Sequence, residues 1–156
     1  MMNKPANAPA KELDAHQCWA LLRGVSLGRL AVWVTDHPDI FPVNYAVDHG
    51  TLVFRTGLGT KLSAALGETP VAFEADGVDP GSGVAWSVVV KGNAARIDST
   101  EDVLDSFSIM LFPWKSGRKD TFIRIEPTSI TGRKFKVADP AQWWTAQATA
   151  THAAPE

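Results

Sequence analysis

The sequence has little of three things: cysteine, net charge and long apolar runs. Its single cysteine, Cys18, excludes an internal disulfide and fits a reducing compartment. The formal net charge is -2 at pH 7, so binding to a nucleic-acid backbone by charge alone is not expected. No apolar run is long enough to span a bilayer, and residues 1–11 lack the apolar segment of a signal peptide. We therefore expect a cytoplasmic protein that binds neither nucleic acid nor a membrane.

Two common kinds of catalytic site are also missing from the sequence. The histidines His16, His37, His49 and His152 are scattered over a predicted helix, two turns and the tail, and no pair has metal-ligand spacing. Ser87 does not lie in a Gly-x-Ser-x-Gly motif, which argues against serine hydrolase chemistry. We expect no metal site and no hydrolytic serine.

The chain length of 156 residues suits a single domain that can bury a core without disulfides or metals. Residues 1–11 are rich in Ala, Pro, Asn and Lys, which predicts a disordered lead-in. The domain is expected over residues 12–138, and residues 139–156 are expected to form a C-terminal tail.

The predicted domain is mainly β with short helices. A capping box at Asp14 and Gln17 opens a helix predicted over Ala15–Arg23, whose Cys18 is expected to be buried. Turns are predicted over Asp36–Asp39 and Asp48–Gly50, and a loop over Asp76–Gly83. Strands are predicted over Arg29–Thr35, Ile40–Val47, Thr51–Thr56, Val71–Ala75, Trp86–Ile97, Thr121–Glu126 and Ser129–Val137, and further helices over Lys61–Leu66 and Thr100–Met110. This pattern favours an antiparallel barrel over a doubly wound sheet.

Two residues inside predicted strands carry specific expectations. Pro42 cannot donate a backbone hydrogen bond, so its strand should be open on one side at that point. Gly92 lies within a long predicted strand and indicates a bulge or bend.

The segment Phe54–Lys61 has the chemistry of an anion pocket. A strand delivers Arg55 and Thr56, a Gly-x-Gly turn follows, and Thr60 can cap the next helix, which begins with Lys61. Backbone amides, hydroxyls and two cations together suit a phosphate monoester. A purely structural role stays open as the alternative, because Gly-x-Gly turns before helices are common and Arg55 could lie on an exposed strand face. The motif is neither a P-loop nor the dinucleotide fingerprint.

Three segments in a fixed order carry a family resemblance. The series Ile40–Tyr45, then Arg55–Lys61, then Trp86–Ala94 resembles the pyridoxamine 5'-phosphate oxidase-like, FMN-binding split-barrel superfamily, over about Leu13 to Phe135. The resemblance implies an antiparallel split β-barrel of the flavin-reductase and pyridoxamine-oxidase type, with FMN as cofactor.

The resemblance also implies roles for individual residues. The backbone of Ile40–Tyr45 would run along the isoalloxazine ring, and Ser87 would approach its pyrimidine side. A loop of a second subunit around Trp114 would close over the cofactor, in a homodimer with the cofactor at the interface. The residues implied along the ring are Pro42, Val43 and Asn44, and those at the phosphate are Arg55, Thr56, Thr60 and Lys61.

The function implied is that of an FMN-dependent oxidoreductase that transfers a hydride to or from a small molecule. The chain departs from the oxidase proper, because Ile40-Phe41 replaces a basic residue, Ser87 replaces a glutamine, and the arginine-bearing C-terminal segment is replaced by an Ala/Thr tail. Pyridoxamine phosphate is therefore not the expected substrate. The alternatives are a deazaflavin-dependent reductase, a non-catalytic binder of flavin or haem, and an OB-like barrel that binds nucleic acid.

Overall fold

The computed structural model describes residues 9–56, 69–97 and 121–137, which form one helix and seven strands. Every strand pairing is antiparallel. The mainly β architecture predicted from the sequence is confirmed. The elements are β1 (Lys11–Leu13), α1 (Ala15–Arg23), β2 (Leu27–Val34), β3 (His37–Asp48), β4 (Thr51–Thr56), β5 (Val71–Asp79), β6 (Val84–Arg96) and β7 (Thr121–Lys136).

The sheet closes on itself as a barrel. The strand order is β1-β7-β4-β3-β2-β5-β6, and β6 pairs back onto β7. Closure depends on the length of β7, which pairs with β4 over residues 121–125 and with β6 from Ile123 to Lys136. The short strand β1 adds to the far end of β7, so it lies outside the closed ring of six strands. This is an antiparallel barrel architecture, in which each end of the sheet pairs with another strand.

The barrel interior is filled by alternating apolar side chains. Leu30, Phe54, Phe73 and Ile123 are fully buried, as expected where every second residue of a strand faces inwards. The rings of Tyr45 and Phe73 meet edge to face, with their centroids 4.7 Å apart. These side chains pack together in the middle of the barrel.

Helix α1 packs against the barrel strands, as its amphipathic sequence predicts. Its capping box is present: Asp14 Oδ1 accepts from Gln17 N at 2.8 Å, and Gln17 Oε1 accepts from Asp14 N at 3.0 Å. Cys18 and Leu22 are fully buried in the core. The hydroxyl of Tyr45 donates to the carbonyl oxygen of Leu22 at 2.7 Å, which ties the helix to β3.

Cys18 is the buried packing residue that the sequence predicts. Its Sγ lies over Gly132 of β7, where an added Cβ would stand 2.6 Å from the sulfur. Burial raises the pKa of the Cys18 thiol, so the unreactive thiol form is favoured.

The first predicted turn is wrong in position. β3 begins at His37, and the turn consists of Thr35 and Asp36, with Thr35 at a φ of 56°. Tyr45 N donates to Ser26 O at 2.9 Å, so the odd-numbered residues of β3 direct their N–H groups towards β2. The ring nitrogen of Pro38 therefore faces away from β2, and this proline does not interrupt the ladder.

The predicted loop over Asp76–Gly83 is also shorter in the structure. β5 continues to Asp79, whose carboxylate accepts from Gly81 N at 2.9 Å and from the Ser82 hydroxyl at 2.8 Å. These bonds organise a tight turn that ends at Gly83, where φ is 68°. Pairing with β6 keeps the residues before Asp79 in the sheet.

The last two predicted strands are one continuous strand, β7. The pairing with β6 shifts register between Lys91 and Gly92, and Thr128 is the extra residue opposite that point. The bulge predicted at Gly92 is confirmed, and a Cβ there would overlap the carbonyl oxygen of Glu126. β1 begins at Lys11, the last residue of the predicted lead-in, while the predicted helices over Lys61–Leu66 and Thr100–Met110 lie outside the described residues.

Candidate functional site

Strand β3 has an unpaired side at Pro42, as predicted from the sequence. β3 pairs with β2 from His37 to Asn44, but its pairing with β4 covers only Tyr45–Asp48. Among the described strands, none pairs with the outer edge of β3 between His37 and Val43. Pro42, like Pro38, directs its ring nitrogen towards this edge, where no ladder partner is needed. The barrel is therefore split between β3 and β4.

The backbone groups of the even-numbered residues of β3 face this edge. Ile40 directs its N–H to the open side, where the Asp39 carboxylate accepts it at 2.8 Å. The side chain of Val43 is buried in the core, whereas Pro42 is exposed and Asn44 half-buried. Of the residues expected along the ring, Val43 therefore offers this edge neither its side chain nor its N–H, which points towards β2.

Arg55 and Asn44 meet where the two strands part. Tyr45 and Phe54 form the last pair between β3 and β4, so Asn44 and Arg55 are the next positions on their strands. Phe54 faces the barrel interior, and alternation places Arg55 on the outer face. Thr56 lies on the same face as Phe54 and is buried, so the structure directs Arg55 and Thr56 to opposite faces.

The Arg55 guanidinium lies over an aromatic ring. Its Cζ stands 5.4 Å from the centroid of the Phe122 ring, a cation–π distance. Phe122 pairs with Arg55 across β4 and β7 and is itself buried. The ring fixes a positive charge beside the open edge, which is the charge that a phosphate group requires.

Two other arginines of the outer face are engaged by carboxylates. Arg29, which pairs with Pro42, donates from Nε to Glu74 Oε2 at 2.7 Å, and its Nη2 lies 3.0 Å from Asp76 Oδ1. Burial raises the pKa of the Glu74 carboxyl, against the opposing effect of Arg29. Because two acids share the Arg29 charge, this arginine is a poor anion ligand.

The second such arginine is Arg124 of β7. It donates to Asp48 Oδ2 at 2.8 Å and to the Thr51 hydroxyl at 2.6 Å, and only 19% of its side chain is exposed. The Arg124 guanidinium holds the pKa of the Asp48 carboxyl below its usual range. This cluster fastens the β3–β4 hairpin to β7 and is structural.

Ser87 lies in a different place from the β3 edge. It lines a groove of about 530 Å³ on the outer face of the barrel, formed by residues of β1, β6 and β7. Arg133 pairs directly with Ser87 and also lines the groove. Sequence reasoning missed Arg133, because nothing local to its strand shows that it faces Ser87. The groove residues are Glu12, Leu13, Ser87, Val89, Ile130, Thr131, Gly132, Arg133 and Phe135.

The structure therefore brings together only some of the predicted site residues. Pro42, Asn44 and Arg55 gather at the split, while Ser87 lies on a separate face. Thr60, Lys61 and Trp114 lie outside the described residues.

Two negative findings hold for the described residues. Within residues 9–56, 69–97 and 121–137, no group of three metal-ligating side chains comes together. In the same ranges, no helix has the length and hydropathy of a membrane span.

Comparison with known proteins agrees with this architecture. A family profile described as pyridoxamine 5'-phosphate oxidase matches residues 14–134. The uncharacterized protein Rv0080 of Mycobacterium tuberculosis is 38% identical over 133 residues, which cover 82% of this chain and 86% of that protein. The residues matched by the profile include Arg55 at the split and Ser87 and Arg133 of the groove.

Two solved structures share the fold at similar identity. The structure of the FAD binding protein from Mycobacterium smegmatis is 38% identical, with a TM-score of 0.72, and the match covers 81% of this chain and 99% of that chain. A conserved protein of unknown function from Corynebacterium diphtheriae is 36% identical, with a TM-score of 0.69, and the match covers 82% of this chain and 99% of that chain.

Proposed function

Because this chain belongs to the pyridoxamine 5'-phosphate oxidase family, we propose that it is an oxidoreductase that binds the FMN moiety, as FMN itself or as part of FAD. The observation that carries the proposal is the split beside Arg55. There an unpaired strand edge and a fixed guanidinium stand side by side. The 38% identity to an FAD binding protein supports a flavin and adds FAD to the FMN expected from the sequence.

The residues at the split fit a flavin phosphate and ring. Arg55 would bind the phosphate, with a charge-assisted bond of the kind that Arg forms with phosphate oxygens. The outer edge of β3 from Ile40 to Asn44 would orient the ring through backbone groups. Asp39 already engages the N–H of Ile40. The exposed Pro42 offers no donor there, which leaves its carbonyl oxygen as the polar group at that position.

A bound flavin supplies hydride chemistry, and the protein supplies position and electrostatics. Each carboxylate described above at or next to the split already has a hydrogen-bond or ion-pair partner. Arg29 binds both Glu74 and Asp76, and the Asp39 carboxylate accepts a bond from the Ile40 N–H. Such an arrangement suits hydride transfer to or from a small-molecule substrate, which depends chiefly on geometry.

The test is a comparison of ligands that differ at the phosphate. The parent protein is titrated with FMN, FAD, riboflavin, a deazaflavin and haem. We expect FMN or FAD to bind more tightly than riboflavin. The variant Arg55→Ala/Lys61→Ala should lose at least tenfold in affinity for FMN, because each phosphate contact is worth about 1.5–3 kcal/mol. It should bind riboflavin as the parent does.

The control for this test is Arg23→Ala, which removes an exposed arginine of α1. It should leave all affinities unchanged. Equal affinity of the parent and the double variant for FMN would refute the phosphate assignment. If the deazaflavin or haem binds more tightly than FMN and FAD, the cofactor assignment is wrong and the tighter ligand takes its place.

A further inference from the structure

The outer edge of β3 presents its carbonyl oxygens to the open side of the split. In an antiparallel ladder, a residue directs its N–H and its C=O to the same neighbouring strand. Tyr45 N donates to Ser26 O, just before β2, so the odd-numbered residues of β3 face β2 with both groups. The carbonyl oxygens of Pro38, Ile40 and Pro42 therefore point outwards.

The same stretch of β3 has no N–H group left for a ligand. Pro38 and Pro42 carry no N–H at all. Ile40 is the remaining outward residue, and its N–H donates to the Asp39 carboxylate at 2.8 Å. Over residues 37–43, all of which the structure describes, the edge is therefore a row of backbone acceptors without a free backbone donor.

Such an edge selects its ligand by hydrogen-bond type. Another β-strand presents donors and acceptors in alternation, so it would find only half of its bonds here, and prolines protect an edge from such strand addition. Pro38 and Pro42 are exposed, and Ile40 is 63% exposed, so the row is accessible. A ligand that pairs with this edge has to supply the donors.

A flavin changes its donors with its oxidation state. The oxidised isoalloxazine ring accepts at N5 and donates only at N3. Reduction adds two electrons and two protons, which places hydrogens on N5 and N1 and converts N5 from an acceptor into a donor. We propose that the β3 edge binds the reduced flavin in preference to the oxidised one, with the outward carbonyl oxygen of Pro42 accepting from N5. This inference rests on the proposed function.

Proline at position 42 is the reason for this preference. With any other residue there, an N–H would also face the ligand, and the oxidised N5 could accept from it. With proline only the carbonyl oxygen remains, which repels an acceptor and binds a donor. We expect a preference of about tenfold in affinity, which equals a rise of about 30 mV in the potential of the bound two-electron couple.

The charges next to Pro42 do not create the same preference. A free cation beside the ring would also favour the reduced flavin, because it would stabilise the anion of the reduced ring. Arg29 lies opposite Pro42 on β2, but its guanidinium is bound by Glu74 and Asp76. Asp39 adds a negative charge at the edge. The preference therefore depends on the hydrogen at N5.

Anaerobic titrations measure the preference directly. The parent is titrated with oxidised FMN and with FMN reduced by dithionite, and the potential of the bound FMN is measured against reference dyes. The matched ligand is 5-deaza-FMN, in which carbon replaces N5 and cannot donate in either state. We expect the parent to bind reduced FMN about tenfold more tightly than oxidised FMN, and to bind both states of 5-deaza-FMN with similar affinity.

Two variants restore a donor to the edge in different ways. Pro42→Ala adds an N–H on the open side and leaves the β2 ladder intact, and Asp39→Ala releases the N–H of Ile40. Each offers the acceptors of the oxidised ring a partner, so each should lower the ratio of reduced to oxidised affinity by about threefold or more.

Two control variants should keep the parental ratio. Asp39→Asn removes the charge but retains a side-chain oxygen that accepts from Ile40 N, which separates the hydrogen bond from the charge. Pro127→Ala removes a proline from β7, a strand that does not pair with β3.

Three results would overturn the inference alone: equal affinity of the parent for both states of FMN, a parental ratio in Pro42→Ala, and an equally large preference for reduced 5-deaza-FMN. In each of these cases FMN still binds, so the proposed function stands. A parent that binds neither FMN nor FAD in either state would overturn the proposed function and this inference with it.

Discussion

Replacing Asp48 with Asn should destabilise the protein at neutral pH by removing the charge that Arg124 faces. The carboxylate accepts from Arg124 at 2.8 Å, and only 15% of the Asp48 side chain and 19% of the Arg124 side chain are exposed. A hydrogen bond to a charged group is worth about 1.5–3 kcal/mol, and a partly buried cation would be left without its counter-ion. Since both groups keep some solvent contact, we expect a loss of about 2 kcal/mol in the free energy of unfolding.

The effect of Asp48 should depend on pH in a defined direction. Its pKa in the folded protein is lowered, first by the hydrogen bond from Arg124. Stabilisation by this carboxylate is therefore complete above the pKa of the unfolded chain, about 3.9, and is lost as the pH falls through the lower folded value. The parent should lose stability on acidification more steeply than Asp48→Asn, and the two should converge.

Urea denaturation at one fixed protein concentration measures this prediction. The parent and Asp48→Asn are compared at pH 7 and at several values below 4. Asp48 contacts His49 at 2.7 Å, and Asp36 contacts His37 at 2.8 Å in the same way. The control is therefore Asp36→Asn, which should show a much smaller change because 84% of the Asp36 side chain is exposed. A difference between the parent and Asp48→Asn that stays constant down to the lowest pH would refute the electrostatic argument.

Two further substitutions test how α1 is joined to the barrel. Tyr45→Phe should lower the free energy of unfolding by about 1–2 kcal/mol in denaturant titrations, because the Leu22 carbonyl loses a buried donor; an unchanged midpoint would contradict this. Gly132→Ala should lower the free energy of unfolding by about 1–3 kcal/mol in thermal denaturation, since its methyl group would stand 2.6 Å from Cys18 Sγ and 3.2 Å from the Ser87 carbonyl oxygen. Adding Cys18→Ala should recover part of the lost stability. If the effects of the two substitutions simply add, the sulfur is not the obstacle.

Features set by neighbouring residues could be predicted from the sequence. The capping box at Asp14, the helix Ala15–Arg23 and the strand Thr51–Thr56 have the predicted bounds, because each depends on local signals. The open side at Pro42 and the bulge at Gly92 also depend on one residue each. In these cases, the residue type itself fixes the local backbone structure, so it can be predicted without knowing the rest of the fold.

The strand and turn bounds that were predicted wrongly have one physical cause, which is pairing with strands distant in the sequence. A turn signal around Pro38 suggested a break, but β2 holds that proline in the ladder because its nitrogen faces the other edge. Similarly, β6 extends β7 across Pro127 and Thr128, which locally favour an interruption. Propensity was outweighed where a partner strand supplies hydrogen bonds to both sides of the unfavourable residue.

Which residues lie together in the candidate site is also determined by long-range strand pairing. Ser87 and the β3 segment can each be assigned to a flavin by resemblance, but their relative placement follows only from the strand order. That order puts the two on opposite sides of the barrel and places Arg133, which no motif indicated, directly beside Ser87. The placement of Ser87 relative to the β3 edge could therefore not be predicted from either segment alone, because it depends on strand pairings between residues far apart in the sequence.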